Sequence, residues 1–332
     1  MFVSDGLTRP VHTASGERRW ISALSWEDFS WRGLPQVCLV LQIVLFGTSL
    51  VLYRATDIDV RWSTDLGFLA FIGMLVALWI AIIAFAGRRV LLRRFAEALA
   101  ATILFLSLIQ ITAPMQYGAL ALGRPFVDAW LDRADHWLGI DVAHLTAWTA
   151  QYPRLVSTLN MSYDSLAPQL LLPLIVLPLS GDRRALWEYL WHLHVSLFGA
   201  IICLALWPTV YVFTYRHFDP LVSPAMVEHC MNQLWNFHAG RSHTLTSQDM
   251  QGLISFPSFH TAAAVAVTWA LRRQRRWIWI PIALLNVGLV SATVLLGLHY
   301  ATDLIGTAVL LAASLVVYQR WFAAPVAASG LP

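Results

Sequence analysis

Two short polar stretches interrupt the apolar C-terminal third of the chain: Phe256-Pro257-Ser258-Phe259-His260-Thr261 and, about forty residues on, His299-Tyr300-Ala301-Thr302-Asp303. His299 and Asp303 are four residues apart and so share one face of a helix. A carboxylate that accepts the Nδ1 proton of an imidazole fixes its tautomer and leaves Nε2 free as nucleophile or base. The plainer use of the same pair is to cap and anchor an apolar span. In the first stretch, Pro257 suits the first turn of a helix, where its missing N–H has no partner to lose. Ser258 and the free N–H groups of that turn make an anion site, helped by the positive end of the helix dipole, and His260 lies within reach of whatever binds there. If the two stretches meet, they combine a nucleophile, its orienting carboxylate, an acid and a phosphate-sized anion site.

The elements that must bring them together are membrane spans. The 332 residues are 58% hydrophobic and only 12% charged, with mean hydropathy +0.61, far from the roughly 25% charge of soluble domains. Apolar segments recur near 36–53, 66–86, 97–121, 158–180, 187–213, 258–271, 277–297 and 300–318, which predicts an all-α integral membrane protein of about eight transmembrane helices in one polytopic domain. The sixth is short for a crossing. There is no linker and no internal repeat. All 22 basic residues are arginines. Fifteen of them fall on one side: Arg9, Arg18, Arg19, Arg32, Arg88, Arg89, Arg93, Arg94, Arg183, Arg184, Arg272, Arg273, Arg275, Arg276 and Arg320. The positive-inside rule makes that side cytoplasmic, with both termini there and both polar stretches on the extracytoplasmic face of an inner or plasma membrane.

Residues 1–35 carry no apolar core and so read as no cleavable signal peptide. The three cysteines suggest no disulfide framework. Residues 125–148 place Val127, Leu131, Ala134 and Leu138 at helical spacing with Asp128, Asp132 and Asp135 on another face. This predicts an extracytoplasmic amphipathic helix, either filling a gap between spans or gating a lipid. The long loop 217–252 carries His217, His229, His238 and His243, yet its spacings match no standard ligand pattern, and no metal is expected. His192 and His194 are expected at the cytoplasmic interface or packed against a neighbouring helix. Nothing points to nucleic acid or to a cofactor, and oligomeric state is not legible.

Over roughly residues 100–318 the chain resembles the type 2 phosphatidic acid phosphatase superfamily, whose second motif is Pro-Ser-Gly-His and whose third ends in His with Asp four residues on. The resemblance implies a six-helix core, here 96–320, preceded by a cytoplasmic segment with two extra helices (1–95) and followed by a cytoplasmic tail (321–332). It implies that His299 attacks phosphorus to give a phosphohistidine, Asp303 orients it and His260 protonates the leaving oxygen. The first motif ends in Arg-Pro, matched by Arg124-Pro125, but the lysine seven residues earlier is Tyr117. An arginine six residues before the histidine is replaced by Thr293, and the motif glycine by Phe259. The run from Ala292 to Leu304 and the Phe-Pro-Ser-x-His pattern resemble the branch containing inositol phosphorylceramide synthase. Tyr163 and Arg241 also fit related members.

A phosphate monoester approaches two negative charges and a diester carries one, so a site with fewer cations suits a diester. The expectation is a lipid phosphotransferase that holds a phospholipid headgroup phosphate with Arg124, Arg241, Ser258 and Tyr163. His299, Asp303 and His260 then pass the phospho-headgroup to a lipid alcohol. The alternatives are a lipid phosphate or polyprenyl (pyro)phosphate phosphatase with water as acceptor, and a catalytically silent lipid-binding or transport protein.

Overall fold

The computed structural model describes residues 33–61, 66–87, 89–246, 249–250 and 253–322. The N-terminal segment with Arg9, Arg18, Arg19 and Arg32, Arg88, and the tail from residue 323 lie outside the described residues. Six helices are long and apolar enough to cross a membrane: α1 (Leu34–Thr56), α2 (Leu66–Ala86), α3 (Val90–Leu120), α8 (Arg183–Leu206), α12 (Arg276–Leu295) and α13 (Ala301–Trp321). A seventh forms if α6 (Pro153–Asp164) and α7 (Leu166–Ser180) count as one span bent by 45°. The bend has a local cause: Pro168 lacks the N–H that would bond the carbonyl of Asp164, and its ring crowds that carbonyl, so α6 stops there. As a result Tyr163 sits on a helix end rather than inside a continuous span.

The short span is α11 (Phe259–Leu271), whose 13 residues reach about 20 Å, less than the roughly 30 Å of a hydrocarbon core. Its brevity suits its position. Ala262, Ala263, Ala264, Ala266, Val267, Ala270 and Leu271 are all buried, and the helix packs against α7, α8, α12 and α13. Small side chains let these backbones approach closely without apolar exclusion from water as the driving force. Asn286 of α12 fastens the centre by donating to the Ala264 carbonyl at 3.1 Å and to Thr268 Oγ1 at 2.8 Å.

The two ends of the bundle differ in chemistry. At the end opposite the polar motifs, Arg183 pairs with Glu97, Arg272 reaches Glu188 at 3.4 Å and stacks on Trp269, and Trp269 Nε1 donates to Glu188 at 2.7 Å. His192 and His194 are packed inside: His192 Nδ1 meets Ser314 Oγ at 2.8 Å, and His194 meets the Leu190 carbonyl and Gln42.

Two expectations are corrected. The single amphipathic helix of 125–148 is two helices, α4 (Asp128–Trp137) and α5 (Val142–Ala150), broken at Gly139, whose φ of +75° ends α4. Asp141 then caps α5 by accepting the His144 N–H. Its polar face is moreover turned inwards: Asp128 and Asp135 are each 2% exposed while Trp137 is 90% exposed. The 217–252 region, expected as a loop, contains α10 (Pro224–His238), whose Leu234 and Phe237 are buried. The short α9 (Val212–Arg216) precedes it. Strands β1 (Asp59–Val60) and β2 (Thr244–Leu245) form a parallel pair that ties the segment after α1 to the segment after α10.

At Gly306 of α13, an added Cβ would stand 2.8 Å from the ring of Phe256. Gly306→Val is expected to lower the melting temperature of the solubilised protein, an overpacking cost of about 1–3 kcal/mol. Gly73→Val on α2, where nothing lies within 4 Å, is the control that leaves it unchanged.

Candidate active site

Ser258 rather than Pro257 begins the short helix. It is the N-cap of α11, with extended backbone, and its Oγ accepts the Thr261 N–H at 3.4 Å. Pro257 stands one residue outside, against Gly306. The helix end thereby faces the turn between α12 and α13. That turn is shaped by Gly297 at φ +80°, where a Cβ would meet Phe218 at 2.6 Å and Thr146 at 2.9 Å. The Thr293 carbonyl accepts the N–H groups of Leu298 (3.1 Å) and His299 (2.9 Å). Tyr300 is the N-cap of α13, which places Asp303 in its first turn.

The two polar stretches do meet. His299 Nδ1 lies 2.8 Å from Asp303 Oδ2, and its Nε2 lies 3.3 Å from Ser258 Oγ. With Nδ1–H donating to the carboxylate, Nε2 is left as the acceptor, turned to the anion-binding end of α11. Burial pushes the His299 imidazole, in its turn outside the spanning helices, down to about 4, so it is uncharged and nucleophilic at neutral pH. Tyr163 stacks on His260 with ring centroids 4.4 Å apart, and its hydroxyl lies 3.4 Å from His260 Nδ1. That contact leaves Nε2 of His260 for other partners.

His299, His260 and Tyr163 all line one cavity of about 460 Å³. Its remaining wall is largely apolar, with Ile109 and Ala113 from α3, Leu166, Leu197, Met226 and Val227 from α10, and Phe259. No arginine, lysine, aspartate or glutamate is among the described residues that line it. Arg124 and Arg241 are not brought to this wall. Both are exposed; the Arg124 carbonyl accepts from His238 Nε2 at 2.8 Å, and the His238 ring stacks on Phe126. The positions where the resemblance would place cations hold neutral buried residues. Tyr117 is 1% exposed and donates to the Asp249 carbonyl at 2.6 Å, and Thr293 is fully buried. Among the described residues no three His, Cys, Asp or Glu side chains are gathered as metal ligands.

What the sequence reading missed is the support from α4. Asp135 Oδ2 accepts the N–H of Ala301 at 2.8 Å, and Oδ1 accepts that of Thr302 at 2.8 Å together with the Thr302 hydroxyl. Asp128 Oδ1 accepts the Tyr300 hydroxyl at 3.0 Å, and Oδ2 accepts the Val210 N–H at 2.9 Å. Burial pushes the Asp128 carboxyl up to about 6, against these hydrogen bonds, which favour its charged form. Asp132, between them, faces Arg216 instead at 3.5 Å. The signal was present as aspartates seven residues apart, two helical turns on one face, but that spacing also describes a wet face.

Asp135→Ala leaves two amide donors at the start of α13 without their acceptor, at a cost of about 1–3 kcal/mol. The melting temperature is expected to fall clearly below wild type, and much less in Asp132→Ala, whose ion pair is partly exposed. Equal melting curves for the two variants would contradict the inward brace.

Comparison with known families gives a match. The description of the PAP2 superfamily matches residues 129–317, a stretch that contains α4 from its second residue on, both polar motifs and most of α13. No curated protein and no solved structure matches the chain. With the matched stretch covering more than half of its length and both histidines, the chain belongs to the PAP2 superfamily.

Proposed function

We propose that the protein is a membrane lipid phosphotransferase that moves a phospho-headgroup from a phospholipid to an acceptor alcohol through a phosphohistidine, in the manner of inositol phosphorylceramide synthase. Membership of the superfamily supports the broader class of lipid phosphatases and phosphotransferases. The observation that carries the finer reading is the cavity: His299 and His260 open into a mainly apolar space without a charged arginine, lysine or carboxylate on its described wall. Such a space suits a singly charged diester with its apolar body far better than a doubly charged monoester.

In this reading the site opens at the extracytoplasmic face, and residues 96–320 form the catalytic core. The phosphate rests on Ser258 and the first-turn N–H groups of α11. Arg124 and Arg241, off the cavity wall, act on an anionic headgroup before it enters. Nε2 of His299 attacks phosphorus, the bond to the diacylglycerol oxygen breaks, and His260 gives that oxygen its proton. Asp303 balances the positive charge that grows on His299, and Tyr163 holds the His260 ring. An acceptor hydroxyl then returns a proton to His260 as its oxygen attacks phosphorus. The P–N bond breaks and neutral His299 is regenerated. Phosphate release to water is the second reading, supported by the same histidine pair.

The test uses purified protein with phosphatidylinositol, phosphatidylglycerol or phosphatidic acid labelled at phosphorus, with and without ceramide. Labelled phospholipid made only in the presence of ceramide is expected, and free phosphate alone would sink the transferase reading. An acid-labile phosphoprotein should form with wild type and vanish in His299→Ala, with turnover down by three or more orders of magnitude. His260→Ala is expected to lose roughly 10²- to 10⁴-fold, the usual worth of a positioned acid.

A further inference from the structure

Gln116 stands on α3 beside the residue that occupies the family's lysine position, and its side chain goes a different way. Tyr117 turns to the Asp249 carbonyl, whereas Gln116 lines the cavity with His260 and His299 and is 9% exposed. Its Oε1 accepts two backbone protons, from Leu253 N at 3.2 Å and Ile254 N at 3.0 Å. Two N–H donors converging on one amide atom identify that atom as the oxygen, since an NH2 group there would face like partners. The amide is therefore locked, and Nε2 points its two protons away from the 253–254 backbone. Among the described residues Nε2 has no hydrogen-bond partner, and it is not sealed from the cavity. The neighbouring polar group on this face, Thr112, is turned back to the Leu108 carbonyl at 2.7 Å. A nearly buried donor pair without an acceptor costs free energy unless a ligand completes it.

We infer that Gln116 is a substrate-binding residue whose Nε2 donates to a non-bridging oxygen of a phosphodiester held before His299. The inference rests on the phosphotransferase reading of the cavity and extends it. An uncharged donor placed next to the lost lysine position stabilises one oxygen without adding positive charge. The cavity thus recognises a diester by hydrogen bonding and gives a monoester's second charge no counterion. The residue that anchors the 253–254 segment leading into Ser258 also touches the substrate, so filling the cavity and setting the α11 end are coupled.

Gln116→Glu separates the two roles. A carboxylate still accepts from Leu253 and Ile254, but it presents an oxygen where the NH2 group was. With wild-type protein in nanodiscs turning over phosphatidylinositol or phosphatidylglycerol, the variant is expected to lose roughly 10- to 100-fold in kcat/KM, mostly through KM. That is the worth of a hydrogen bond to a charged group. Its binding of diacylglycerol, which lacks the phosphate, should be unchanged, while the buried carboxylate lowers its melting temperature somewhat. Wild-type kcat/KM in the variant would overturn the inference, leaving Gln116 as a loop anchor, and so would a parallel loss of diacylglycerol binding. Wild-type protein that transfers nothing from any of these lipids would instead overturn the phosphotransferase reading on which the inference stands.

Discussion

The site depends on one carboxylate from outside the last helix. Asp135 holds the first two amide protons of α13, groups that no residue within the helix can satisfy. Taking a carboxylate out of water is costly, and three converging donors together with the positive helix end offset that cost. The return is positional. With the start of α13 fixed in height and rotation, Tyr300 and Asp303 are fixed with it, and the Asp303 carboxylate then fixes the ring of His299. The amphipathic pair α4 and α5 is best understood as the part that sets the position of His299, with its tryptophans facing outwards as a consequence.

Charge is partitioned along the bundle axis. At the end away from the histidines, Glu97, Arg183, Glu188 and Arg272 are paired within the protein. At the histidine end the described residues of the cavity wall carry no arginine, lysine or carboxylate; their polar groups are hydroxyls, a thiol, an amide and imidazoles. In a low-dielectric setting, oriented dipoles stabilise a charge that develops during reaction, and they require no counterion in the resting protein. Tyr117 and Thr293 are therefore more than missing cations. Tyr117 closes the space against Phe237, and the Thr293 carbonyl builds the turn before His299.

Local spacing made the meeting of the two polar stretches legible in the sequence. The four-residue interval from His299 to Asp303 and the Pro-Ser start before His260 are properties of a single helix end, and both survive in three dimensions with a shift of one residue at Pro257. Hydropathy likewise found the apolar helices, because a bilayer imposes length and composition directly, although six of the eight expected spans are single helices long enough to cross, with a seventh only if α6 and α7 count as one. What escaped depends on partners distant in the chain. Asp135 lies 166 residues from the amide of Ala301, and nothing around it distinguishes an inward aspartate from a wet one. Gln116 looked like one more residue of an apolar span. Arg124 matched the Arg-Pro of the first motif and Arg241 fitted related members, yet neither is among the described residues that line the cavity.

The two-residue pairing of β1 with β2 has a consequence for where this protein can be divided. Asp59 and Val60 follow α1, and Thr244 and Leu245 lie eight residues ahead of Leu253, whose N–H is held by Gln116. Helix α1 also packs on α3 so closely that a Cβ at Gly118 would stand 2.9 Å from Leu52. The end of the first helix is therefore tied by backbone hydrogen bonds to the stretch after α10. A shortened chain that begins at the core would keep His260, His299 and Asp303 and yet leave the strand at Thr244–Leu245 without its partner. In this protein the helix that precedes the matched stretch is joined by strand pairing to the segment after α10.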